Sequence, residues 1–102
     1  MSQLIFNRIV SAIGANDRAE FLRYASDDMR QAVTPELWEE INQLAPHLNA
    51  GYNATHVRRC EEEGFDVNVW KLIFDDGSSD VMLRVVTRDD KLAGLWRDID
   101  AA

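Results

Sequence analysis

The residues best able to do chemistry crowd into one short stretch. His56 and Cys60 stand close together, Arg58 and Arg59 lie between them, and Glu61, Glu62 and Glu63 follow. His56, Cys60 and the earlier His47 are metal-ligand types, but the stretch reads as extended chain. Residues four apart on a strand are separated by roughly 13 Å, far more than one zinc ion bridges. The same distance denies Cys60 a neighbouring base, so it reads as a partly buried spectator thiol rather than a nucleophile. The glutamate run lacks a calcium loop and reads as the charged end of a hairpin. No metal and no cofactor is expected.

Proton abstraction beside a carbonyl needs a carboxylate base, with neutral acids such as tyrosine or a protonated aspartate to hold the enolate. The carboxylates in the right part of the chain are Glu61 and Asp98, both near strand ends, where such groups are normally solvated. Asn68, Arg59 and Thr55 are their polar company, while Tyr24 and Tyr52 fall in the helical half. Trp38, Trp70 and Trp96 are able to stack on a flat ligand, yet each falls on a face expected to be core, and packing is the preferred reading.

The elements that must position these groups follow from periodicity. Leu4, Ile5, Ile9, Ala12 and Ile13 recur at helical spacing, with Phe6 and Val10 widening the stripe, so a mostly buried helix is expected from Gln3 to Ile13. Gly14 stops it. Asn16 and Asp17 offer N-caps for a second short helix that buries Phe21, Leu22 and Ala25, and Glu20 completes a capping box on Asp17. Ser26-Asp27-Asp28 reads as a break. Thr34-Pro35 starts a third helix, because threonine caps free amides and proline at the first position loses no hydrogen bond. Its apolar face is Leu37, Trp38, Ile41, Leu44, Ala45 and Leu48, and Pro46 should kink or end it.

Beyond Gly51 the period falls to 2, predicting strands at about Thr55 to Glu62, Phe65 to Phe74, Asp80 to Thr87 and Lys91 to Ile99. Glu63-Gly64, Asp76-Gly77 and Asp89-Asp90 join them as two-residue turns, which fixes the register. Leu72 then opposes Val81, Arg59 opposes Asn68, Leu83 opposes Trp96, and Val85 opposes Gly94. One face collects Val57, Trp70, Leu72, Phe74, Val81, Leu83, Val85, Leu92 and Trp96, with Asn68 and Arg59 as polar intrusions, and should meet the helices. The other carries Val67, Val69, Ile73, Met82, Val86, Ala93, Leu95 and Ile99 together with His56, Arg58, Lys71, Arg84 and Arg97. A solvated face should not be this apolar, so a cover is expected, and a second copy about a two-fold axis is the simplest one.

Composition bounds the partners. The 102 residues are 46% hydrophobic and 28% charged, the usage of a folded chain, and the length fits a single domain, 1–102. With 18 acidic against 11 basic residues the net charge of −7 repels phosphate backbones and anionic lipid. No nucleic acid and no membrane partner is expected. One cysteine forms no internal disulfide, and Asn7 and Arg8 interrupt the apolar residues where a secretory leader would be continuous, so a cytoplasmic location is the expectation.

The stretches Asn16-Asp17-Arg18-Ala19-Glu20-Phe21-Leu22, Asp28-Met29, Thr34-Pro35-Glu36-Leu37-Trp38-Glu39 and Lys91-Leu92-Ala93-Gly94-Leu95-Trp96 resemble a group of uncharacterised bacterial domains in the nuclear-transport-factor-2-like superfamily. The resemblance implies an α+β fold with N-terminal helices packed on a curved four-stranded antiparallel sheet, the cystatin-like cone. It also implies a pocket between helices and sheet and frequent dimerisation through the outer sheet face. The superfamily mixes isomerases, dehydratases and non-catalytic binders, and activity is not inherited with the fold.

The sequence reading is therefore a non-catalytic small-ligand-binding or protein-interaction domain, a homodimer through its outer sheet face. Trp70, Trp96, Leu83, Asn68 and Arg59 would line a pocket for a small apolar or acidic ligand. The alternative is an isomerase or dehydratase using a pocket carboxylate.

Overall fold

Side-chain caps divide the helical half more finely than its apolar pattern predicts. The computed structural model describes residues 2–98, with side chains from Leu4 to Arg97. Helix α1 spans Ser2–Gly14, α2 Arg18–Arg23, α3 Asp27–Ala32, α4 Pro35–Asn42 and α5 Ala45–Asn49. Asp17 and Thr34 cap as expected, accepting from the backbone N–H groups of Glu20 and Leu37. Ser26 corrects the expected break: its hydroxyl accepts from the Met29 N–H at 3.2 Å and starts α3. The long third helix is also two pieces. It ends at Asn42 and restarts at Ala45, with Pro46 in the first turn, where a missing N–H costs nothing. Among the described residues no helix is long and apolar enough to cross a membrane.

The fold class is as expected, α+β, with the helices preceding one curved antiparallel sheet in the order β1-β2-β3-β4. Strand β1 is Tyr52–Glu62, β2 Phe65–Phe74, β3 Val81–Arg88 and β4 Lys91–Asp98. Glu62 opposes Phe65, Leu72 opposes Val81 and Arg88 opposes Lys91, the register the turns predict. Glu63 and Gly64 both have positive φ, as do Asp89 and Asp90, the backbone of turns whose twist suits a tight hairpin.

Two bulges then break the simple alternation. In β1 the pairing jumps between His56 and Arg58, leaving Val57 unopposed, so His56 pairs with Trp70 and turns onto the helix side. In β4 the extra residue is Ala93: Thr87 opposes Leu92, but Val86 opposes Gly94. Each single-residue insertion exchanges the faces of what lies beyond it. Trp96 therefore pairs with Arg84 rather than Leu83 and is 54% exposed on the outer face, while Leu95 packs against the core. The expectation that Trp96 lines the helix side is corrected, and so are the outward placements of Leu95, Arg97 and His56. Tyr52 also begins β1 rather than lying in the helical half. Ile99 lies outside the described residues.

The core sits between α1 and the inner sheet face. Phe6 stacks on Trp70 with ring centroids 4.2 Å apart and planes 12° from parallel. Ile9, Ile13, Phe21, Leu72, Leu83, Val85 and Leu92 are all almost fully buried around them. The joint between α2 and α3 is tied to β4 by its backbone: the Leu92 N–H donates to the Tyr24 carbonyl at 2.6 Å, and the Leu92 carbonyl accepts from the Ser26 N–H at 2.8 Å.

Candidate functional site

The register places the five expected ligand-binding residues on two different surfaces. Paired residues in adjacent strands share a face, so the inner side carries one row of Arg59, Asn68, Val85 and Leu95 and a second row beginning His56, Trp70 and Leu83. Four of the five, Arg59, Asn68, Trp70 and Leu83, are thus brought together there. Trp70 and Leu83 are nevertheless packed, at 6% and 2% exposure, with Phe6 filling the space above Trp70. Arg59 is exposed, and its guanidinium meets the Asp66 carboxylate rather than an inward anion. Trp96 is on the other side of the sheet.

One inner polar group that sequence reasoning did not pair is His56. Its Nε2 is 2.7 Å from Asn68 Oδ1, and its ring lies 4.8 Å from that of Trp70. Asn68 is 1% exposed, and its Nδ2, like the Trp70 Nε1, has no hydrogen-bond partner among the described residues. No spacing rule reveals this pair, because the bulge at Val57 is what turns His56 inward. That bulge also puts His56 and Cys60 on opposite faces, since Cys60 pairs with the outward Val67.

The outer side carries a concave surface. One row runs Arg58, Val69, Arg84, Trp96, and the next runs Cys60, Val67, Val86, Gly94. The outer edge of the Trp96 ring lies against Gly94, where a Cβ would collide with it, so glycine is what lets the indole approach the sheet. Val67, Val86 and Trp96 of these rows floor a concavity of about 570 Å³, with Arg58, Glu62 and Glu63 beside them. Apolar floor, arginines and glutamates therefore share one surface. The sequence predicts this greasy, cationic character, but assigns Trp96 to the opposite face.

Of the two carboxylates proposed for catalysis, Glu61 does not enter the core. Glu61 is exposed beside the first hairpin, opposite Asp66, and the Asp98 side chain lies outside the described residues. Burial pushes the Tyr52 phenol above its ordinary value.

A serine, a histidine and an aspartate do meet at the end of the sheet, where His47 Nδ1 is 2.8 Å from Asp76 Oδ2 and 2.9 Å from Ser78 Oγ. A proton relay needs hydroxyl and carboxylate on opposite ring nitrogens. Here both share one, so the cluster is a clamp from α5 to the β2–β3 turn. The hydrogen bond from His47, helped by those from Ser78, lowers the Asp76 carboxyl to about 2 from 3.8. A depressed folded-state value stabilises the fold above the unfolded value and loses that effect as pH falls through the folded one. Asp76→Asn is therefore expected to be less stable than the native chain at pH 5, with the gap closing between about pH 4 and pH 2. Urea melts across that range check it, and a gap unchanged at pH 2 refutes the clamp as the cause.

The chain matches no protein-family model, no curated protein and no solved structure.

Proposed function

We propose that this chain is a non-catalytic interaction domain, akin to the nuclear-transport-factor-2-like domains, that packs the outer face of its sheet against the same face of a second copy. The observation that carries this reading is Trp96, a large aromatic more than half exposed on the apolar floor of a concave surface. Exposed indoles surrounded by apolar and arginine side chains are the usual anchors of protein contacts. The surface also meets the demand of a two-fold contact, self-complementarity, because it holds Arg58 as well as Glu62 and Glu63. Against an enzyme stand the packed inner face and the solvent position of Glu61.

Trp96→Glu tests it. The substitution touches an exposed side chain, so the circular dichroism spectrum and melting midpoint should stay close to native. Sedimentation should then show the native chain at no less than twice the mass of the variant at the same concentration. Equal masses for the two proteins overturn the reading.

A further inference from the structure

The free edge of β1 points to a contact of a different kind. Strand β1 has eleven residues, lies at the margin of the sheet, and is exposed from Asn53 to Glu62. Such an edge is a ready template for another strand. The β2 side of the strand shows which backbone groups remain available. Glu63-Gly64 is a two-residue turn, so the flanking pair Glu62–Phe65 is hydrogen-bonded, and pairs alternate from there. Cys60 directs its N–H and C=O to β2, whereas Arg59 and Glu61 direct theirs to the open margin.

The charges along this edge read Arg58, Arg59, Cys60, Glu61, Glu62, basic before the cysteine and acidic after it. Turned end over end about Cys60, that order meets its own opposite. We infer that two copies join antiparallel along β1 with Cys60 on the two-fold axis, so that Arg59 faces Glu61 and Arg58 faces Glu62 of the second copy. The available backbone groups fit this register, since the symmetry-related Arg59–Glu61 pairs exchange their free hydrogen bonds while Cys60 meets Cys60 as a non-hydrogen-bonded pair. Slipping the centre by one residue to Arg59 sets arginine against arginine, so the charge order selects the register as well as the partner. The existing contact from Arg59 to Asp66 is compatible, because a guanidinium has donors for two carboxylates. The bulge at Val57 ends the matched segment at Arg58.

This contact lies at the rim of the sheet and does not depend on the outer-face reading, so it is tested in the Trp96→Glu background, where face packing is removed. Arg59→Glu and Glu61→Arg are the informative variants, since both side chains lie on the helix side of the rim, away from the outer concavity. Each alone sets like charges against each other and should self-associate roughly tenfold more weakly than the parent. An equal mixture of the two restores opposite charges at both positions and should return to the parent affinity as a heterodimer.

Cys60 supplies a second readout that needs no charge variant. Non-hydrogen-bonded pairs hold Cα atoms about 4.5 Å apart, within the disulfide range of roughly 4.4 to 6.8 Å. Treated with diamide in the same Trp96→Glu background, two Cys60 thiols give up two protons and two electrons to the reagent and form one intersubunit disulfide. The expected product runs at twice the 11.7 kDa chain mass without reductant, and Cys60→Ser abolishes it. A mixture no more associated than either charge variant, or native-condition oxidation that yields only monomer, overturns the inference.

Discussion

Phe6→Ala is expected to lose about 3–5 kcal/mol of folding stability, the cost of deleting a buried aromatic ring and leaving a cavity. Phe6 is 2% exposed and stacks on Trp70, so its removal strips the contact that joins α1 to the sheet. Small domains have only about 5–15 kcal/mol in hand, and the thermal midpoint should fall by roughly 15 °C or more. Leu4→Ala on the same helix is the control. Leu4 is 54% exposed, and its loss should stay within about 0.5 kcal/mol. Urea melts of the two variants decide the matter, and similar losses for both would mean that α1 does not present Phe6 to the core.

Asn68→Asp is expected to cost about 3 kcal/mol at pH 8 while leaving volume almost unchanged. Asn68 is 1% exposed, with His56 on its Oδ1 and no partner on its Nδ2 among the described residues. Placing an ionised carboxylate there raises its pKa by burial, and each unit of such a shift is about 1.4 kcal/mol. A folded-state pKa above the unfolded one penalises the fold at high pH, and the penalty shrinks as pH falls and the carboxyl regains its proton. Melts at pH 8 and pH 5 should therefore show a larger deficit at pH 8. A variant as stable as native at pH 8 would mean that the position is wet.

The sheet was largely legible because its turns announce themselves. Glu63-Gly64 and Asp89-Asp90 connect their strands as two-residue loops, the connection at Asp76-Gly77 is longer but keeps the register that a tight turn sets, and between β2 and β3 the predicted pairing is the pairing found. That is why Trp70, Leu83 and Asn68 fall on the expected face. What was not legible is an insertion without a chemical mark. Val57 and Ala93 are ordinary strand residues, with neither a glycine nor a proline to flag a bulge. Each nonetheless moves a chemically important side chain through the sheet, His56 inward and Trp96 outward. The helical half shows the converse. Thr34 and Asp17 were readable as caps, while Ser26 offers the same oxygen but was masked by the acidic pair that follows it. Leu4 illustrates a smaller failure, since a stripe broad enough to admit Phe6 and Val10 cannot tell by periodicity alone which flank meets solvent.

The clasp that Tyr24 and Ser26 place on both main-chain groups of Leu92 occupies the start of one lateral border of the sheet with the chain's own backbone. The two borders are therefore unequal, one engaged from within and the other bare along its length. A layer open on both sides is able to recruit neighbours without limit, as fibrils do, whereas one with a single receptive side closes once that side is used. This asymmetry favours small, countable complexes over endless ribbons.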